Sequence, residues 1–324
     1  MYTFQTAHQS PRNSREYFMV KHALRALQWG AIALLGMLQF SSAAMAVPFA
    51  YITHFQSNYV SVINVPTNTV VSTITVGQGP EALAIHPDGS RVYVGNFNSN
   101  SVSVIDTATQ SQSNVIYVGA GPRGMAVSPD GTRLYVANYS SGTVSIIRTA
   151  DRVVLTTINA GPTPWAVAVT PDNSKVYVAN ELGNSVSVIN AATNSLIRTI
   201  PVGYKPYGLT LSPDGNKLYV ANFNSNSVTI VNTATDSAIA SIPVGNGPFA
   251  LALSPDASKL YVTTNANTVS VINTNANTVI ATIGVGNHPQ GISVTPDGSR
   301  VYVANYLGNS VSVINAASNS VTEV

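Results

Sequence analysis

Pro129-Asp130-Gly131-Thr132-Arg133-Leu134-Tyr135-Val136-Ala137-Asn138 is the stretch on which the architecture turns, because it returns along the chain. Pro-Asp begins at 87, 129, 171, 213, 255 and 296, at spacings of 42, 42, 42, 42 and 41. Tyr-Val follows each time, at 93, 135, 177, 219, 261 and 302, and Tyr51-Ile52-Thr53-His54 is a seventh copy. A fixed period near 40 residues marks a repeat architecture, and reading it first prevents a miscount of domains.

Each unit divides into four short strands. In the unit around the quoted stretch they are A (Gly124-Met125-Ala126-Val127), B (Arg133-Leu134-Tyr135-Val136-Ala137), C (Thr143-Val144-Ser145-Ile146-Ile147) and D (Val153-Val154-Leu155-Thr156-Thr157-Ile158). They are β-branched and aromatic runs of strand length, punctuated by Gly, Pro, Asn, Asp and Ser. Pro129-Asp130-Gly131 is turn chemistry: Pro presets φ, Asp bonds the local backbone, and Gly supplies a positive φ. Asn173 takes the glycine's place at modest cost, whereas Ala257 there is expected to be strained or to use another turn. Four antiparallel strands per unit, seven times over, predict an all-β, seven-bladed β-propeller made of four-stranded antiparallel blades.

The Tyr-Val-Ala-Asn runs at 135–138, 177–180, 219–222 and 302–305 carry a closer likeness. The chain resembles the YVTN family of β-propeller repeat proteins over almost all of residues 47–324. That resemblance implies a secreted or periplasmic surface protein, and related propellers include lactonases, antibiotic lyases and the haem-binding domain of a nitrite reductase. The Trp-Asp and Gly-His signatures of WD40 propellers are missing.

Composition narrows the function. Of 324 residues 45% are hydrophobic and 9% charged, a charge content that excludes a coiled coil or a charge-driven disordered tail. The absence of Cys excludes disulfide scaffolds, thiol catalysis and iron–sulfur ligation. Residues 1–46 read as a signal peptide with an extended n-region: Lys21, His22 and Arg25, then the apolar Ala31–Leu38, then Ala44-Met45-Ala46 for cleavage. The apolar run is short for a bilayer, so no membrane span is expected in the mature chain. Losing the leader removes Arg12, Arg15, Lys21, Arg25 and Glu16, which takes the net charge from +2 to −1. No basic cluster remains in the single propeller domain, 47–324, and nucleic acid is not an expected partner.

The expected site lies on one face of the disk. Strand directions alternate, so the D–A and B–C loops share a first face, while the A–B and C–D turns share the second. The six repeated turn aspartates are read as structural. The residue after the D–A loop proline instead varies: Glu81, Arg123, Trp165, Tyr207, Phe249 and Gln290. Variation on a uniform scaffold is what a grafted binding site produces, and these six residues are the expected ligand-binding set. A second set, Phe55, Phe97, Tyr139, Glu181, Phe223 and Tyr306, is expected to wedge between blades, and the neighbouring asparagines Asn96, Asn138, Asn180, Asn222 and Asn305 to bond loop backbone. His54, His288 and Glu81 are the sole conceivable metal set, without motif spacing; His86 reads as a polar turn neighbour.

No Gly-X-Ser-X-Gly, phosphate loop or haem-attachment motif occurs, so no catalytic residue and no cofactor are expected. The expected function is an exported, non-enzymatic binding scaffold for a protein, glycan or small-molecule ligand. The alternative is a lactonase- or lyase-like enzyme with a metal or His base at the channel mouth. An electron-transfer propeller lacks haem ligands beyond the same histidines. Finally, seven periods of 42 require 294 residues and 47–324 supplies 278, so the ring-closing inner strand of the first blade is expected to be missing.

Overall fold

Strands B and C are buried on both sides of the pleat, so each blade must be covered on both faces by its neighbours. The computed structural model, which describes residues 49–323 apart from 65, 66, 68 and 296, shows this arrangement. Six four-stranded antiparallel sheets and one three-stranded sheet follow one another, each with its strands side by side in chain order. The chain is a seven-bladed propeller, and its described regular structure is strand apart from a 3₁₀ turn at Phe223–Ser225.

The core lies between blades. Tyr135, Val144 and Ile146 of blade 3 pack with Val167, Val176, Val178 and Ile189 of blade 4, and equivalent clusters join blades 1 to 2, 2 to 3, 4 to 5, 5 to 6 and 6 to 7. The repeated Tyr supplies the largest side chain of each: Tyr51, Tyr93, Tyr135, Tyr177, Tyr219 and Tyr261 are all fully buried. Burial of a side chain of this size contributes about 1.5–3 kcal/mol. Basic residues opening strand B tie the ring further, as in Arg91 Nη1 donating to the Thr149 carbonyl (2.9 Å) and Lys175 Nζ to that of Thr233 (2.7 Å).

Blade 1 has three strands among the described residues, Phe49–His54, Tyr59–Asn64 and Thr69–Thr75, and these are B, C and D. No described residue supplies its inner strand A. The ring therefore has a seam where the inner strand of blade 7, Pro289–Val294, meets no counterpart among the described residues. On the outside, the C–D pair of every blade slips register by a bulge, which twists an edge strand away from chance pairing.

The A–B turns behave as their residues dictate. Gly131 and Gly215 lie at φ +74° and +73°, and both Asn173 (+59°) and Ala257 (+58°) are forced into the same left-handed region. Each turn aspartate accepts local hydrogen bonds, Asp130 from Thr132 N at 3.0 Å and Asp214 from Asn216 N at 3.0 Å. The hydroxyl of Ser212, followed by Asn216, holds the Asp214 carboxyl below its ordinary pKa. Asp130→Ala combined with Asp214→Ala is expected to cost about 1 kcal/mol per lost turn, additively because the turns are far apart. Denaturant melts of the single and double variants check this, and the first face should keep its structure. His86 does more than the sequence suggested: besides meeting Asp88 at 2.6 Å, its Nε2 reaches the Gly131 carbonyl of the next blade at 2.9 Å.

Candidate functional site

A β-bulge opens each inner strand. Pairing between strands A and B breaks between Pro80 and Ala82, Pro122 and Gly124, Pro164 and Ala166, and Pro289 and Gly291, with longer breaks at Pro206–Leu209 and Pro248–Leu251. The residues skipped include a member of the variable set in every case. A bulge re-aims its extra residue out of the ladder, and here it acts on Glu81, Arg123, Trp165, Tyr207, Phe249 and Gln290 alike.

The loops around the bulges are stitched by one repeated device. The residue just before the D–A proline has positive φ (Gly79, Gly121, Thr163, Lys205, Gly247, His288). Its carbonyl accepts the amide of the B–C loop residue, Phe97, Tyr139, Glu181, Phe223, Asn265 and Tyr306 in turn. Its own amide, in five of six cases, donates to a left-handed Asn of the preceding blade: Asn58, Asn100, Asn184, Asn226 or Asn267. The two sets of first-face residues are thus tethered to one another. The asparagines after Tyr-Val-X have another role than expected: Asn96 Nδ2 donates to Ser101 and Ser103, Asn180 to Ser185 and Ser187, and so on round the ring. They brace strands B and C from inside rather than bond loop backbone.

Five of the six variable residues touch in sequence. Arg123 sets both Nε and Nη2 at 3.0 Å from Glu81 Oε1. Its guanidinium lies 3.6 Å above the Trp165 ring and 4.7 Å from that of Tyr139. Trp165 stacks on Tyr207 at 4.2 Å, and Phe249 meets both rings edge-on at 6.2 and 5.2 Å. These faces cover each other: Trp165 is 6% exposed and Tyr207 9%. Neighbouring inner strands approach closely enough for this because Gly124 and Gly208 lack a Cβ; one on Gly208 would lie 2.6 Å from the Phe249 carbonyl.

The second set joins the cluster rather than serving only as wedges. Phe55, Phe97 and Tyr139 run from blade to blade at 6.5 and 6.3 Å, and Phe223 packs on Tyr207 at 4.9 Å. Glu181 collects three donors from the blades on either side: Tyr139 Oη at 2.8 Å, Tyr207 Oη at 3.2 Å and Lys205 Nζ, in the loop before Tyr207, at 3.4 Å. Burial, with Glu181 close by, raises the Tyr139 and Tyr207 phenols above their ordinary pKa. Burial likewise raises the Glu81 carboxyl, against the pull of Arg123. The mouth is an interlocked set of paired charges and ring faces. Lys205 was missed in the sequence; its signal was a lone basic residue at the position before the D–A proline.

His54, His288 and Glu81 do not form a metal-binding group, and no group of three such ligands occurs among the described residues. His54 hydrogen-bonds Ser61 at 2.8 Å and stacks on Tyr59 at 4.2 Å, while His288 leans on Tyr306 at 5.7 Å. Glu81 is engaged by Arg123. Geometry therefore corrects the one candidate metal set.

The family model for the lactonase seven-bladed beta-propeller matches residues 44–163, 118–238 and 232–324, in three overlapping passes. The chain belongs to this lactonase propeller family. Among solved structures, hydrazine synthase of Kuenenia stuttgartiensis is similar to this lactonase-family propeller, with TM-score 0.74 and 24% identity over 83% of this chain and 92% of the other. A functionally unknown protein from Desulfotomaculum acetoxidans has TM-score 0.74 and 19% identity, covering 85% and 94%. These likenesses concern the fold. No curated protein matches the chain. Among the described residues of this family member, no helix is long and apolar enough to cross a membrane.

Proposed function

We propose that this lactonase-family propeller is a YVTN-type repeat protein, exported after loss of residues 1–46, that binds a protein, glycan or small-molecule ligand at its first face. The leader lies outside the described residues, and the export reading rests on its tripartite pattern. One observation carries the binding reading: bulges deliver the variable residues of a uniform scaffold to the channel mouth, where Arg123, Trp165, Tyr207 and Phe249 form one cluster. Aromatic and Arg side chains dominate binding energetics because they bury large area with few rotors.

The mature chain contains a single tryptophan, Trp165, since the other, Trp29, belongs to the leader. Its emission therefore reports directly on the mouth. A panel of neutral glycans and small aromatic molecules, titrated against protein recovered from the export fraction, is expected to contain ligands that shift Trp165 emission saturably. Intact mass should place the first residue at Val47. Binding that leaves Trp165 silent but is lost on changing the second-face turns would sink the reading.

The family description favours one alternative, hydrolysis of a lactone at the same mouth. Turnover of a lactone panel that falls with Glu181→Gln would move the protein into that class.

A further inference from the structure

On the second face, the basic residue that opens strand B reaches the C–D turn of the next blade. Arg133 Nη1 meets Asn194 Oδ1 at 2.8 Å, Lys259 Nζ meets Asn319 Oδ1 at 3.3 Å, and Lys175 Nζ meets Asp236 Oδ2 at 2.7 Å. The Asp236 carboxylate serves a second donor as well, since Tyr177 Oη donates to its Oδ1 at 2.7 Å. One junction breaks this rule. Between blades 2 and 3, Arg91 opens the strand and Arg152 holds the place of Asn194 and Asp236, so a cation stands where the other turns offer an oxygen. Arg152 lies at φ +65°, in the left-handed region occupied by Asn194 (+54°) and Asp236 (+48°), and Asn and Asp tolerate that region better than Arg. Its Nε is buried without a hydrogen-bond partner. The fully buried Tyr93, in the place of Tyr177, also has an Oη without a partner, although the Arg91 and Arg152 charges lie near enough to act on it. Unpartnered phenols occur at Tyr51 and Tyr261 too, so what sets this junction apart is the pair of guanidinia. No carboxylate among the described residues forms an ion pair with either arginine. The acidic groups close by are committed to their own turns, Asp88 to Ser90 and His86, and Asp106 to Ala108 and Thr109.

We propose that Arg91, Arg152 and the Tyr93 phenol form an anion-binding site at the second-face junction of blades 2 and 3, and that it takes a phosphate group, free or as a monoester. Two like charges held together, with buried donors left over, are stabilised by an anion that meets both. The chain itself supplies the precedent at the junction of blades 4 and 5, where the Asp236 carboxylate bridges the basic residue and the phenol. With Arg152 in that position the bridging anion has to come from outside. A guanidinium presents a planar fork of donors that fits phosphate oxygens two at a time, and two such forks suit a dianion better than a single carboxylate. This site lies on the face opposite the aromatic cluster and does not rest on the ligand proposed there.

The test titrates inorganic phosphate and glycerol phosphate into the protein, with acetate at equal ionic strength as the control, and follows the phosphorus resonance linewidth and the melting temperature. Both phosphates are expected to bind saturably, and the tighter of the two names the source. Arg152→Asn copies the turn of Asn194 and should weaken binding by about tenfold or more, the loss of one charged donor. Arg152→Asp copies Asp236; it should abolish binding and raise the melting temperature of the protein in the absence of phosphate. Both variants keep the fold, because the same residues already occupy this turn position in other blades. Phosphate also stabilises proteins generally by exclusion from their surfaces, and that effect is equal in all three proteins. No saturable binding by wild type overturns the proposal, as does an equal response to acetate or undiminished binding by Arg152→Asp. A shift of Trp165 emission by phosphate that survives Arg152→Asn would place the anion at the mouth and overturn it too. Failure at this junction leaves the mouth reading intact, since that reading is followed through Trp165 with neutral ligands.

Discussion

Replacing Trp165 and Tyr207 together by alanine is expected to lower the melting temperature sharply and to remove ligand binding at the mouth. The double change would spare the fold only if both rings stood open to solvent. They do not: Trp165 lies between Arg123 on one face and Tyr207 on the other, and Phe249 closes the edge of both. Truncating a buried Trp or Phe typically costs about 3–5 kcal/mol, from lost transfer energy and from the cavity left behind. The two rings share a contact, so the double change should cost less than the sum of the singles. Against a domain stability of about 5–15 kcal/mol that is a large fraction. Calorimetric melts of wild type, both singles and the double variant provide the measurement. A double variant that melts with wild type would show that the stack contributes no packing. One that folds but still binds would show that ligand contact lies elsewhere.

Acidification is expected to destabilise the protein in two windows, the first of them set by His54. Burial lowers the His54 pKa from 6.5 to about 4, because the ring is enclosed against Tyr59 and Ser61 and its charged form is disfavoured. The unfolded chain therefore takes up a proton near 6.5 that the folded chain refuses until about 4. Stability is complete above the unfolded value and falls as pH drops between the two, by up to about 3 kcal/mol on the exchange of about 1.4 kcal/mol per unit. The second window lies lower. Asp172, Asp214 and Asp256 are held below 3.8 chiefly by hydroxyl donors in their own turns, and they lose that contribution as pH falls through their folded values. His54→Phe keeps a ring against Tyr59 and should flatten the upper window while leaving the lower one. Melting temperatures measured from pH 7.5 to 3 distinguish the two. An unchanged slope between pH 6.5 and 4.5 in the variant would remove His54 from the account.

Much of the site was readable as positions but not as a structure. Glu81, Arg123, Trp165, Tyr207, Phe249 and Gln290 stand out because the residues around them repeat and they do not. Which of them touch was not readable, since neighbours in the cluster are about 42 residues apart in the chain. Glu181 looked like an outlier in an aromatic series, and its meaning became clear only with Tyr139, Tyr207 and Lys205 around it. The histidines misled for the same reason: ring order brings blades 7 and 1 together, yet His54 turns to its own blade's Ser61.

By itself the sequence determined the period, the four strands per unit and the turn chemistry. Those features are local: alternating β-branched residues, Pro-Asp-Gly at hairpin turns and simple counting all act over a few residues or through strict repetition. Tertiary structure alone decided where the first-face side chains point. The bulges at the start of strand A take Arg123 and Trp165 out of the regular ladder, and the neighbouring blades bring them together. A bulge depends on how two strands register after they pair, and that register answers to the packing of whole blades rather than to any one residue.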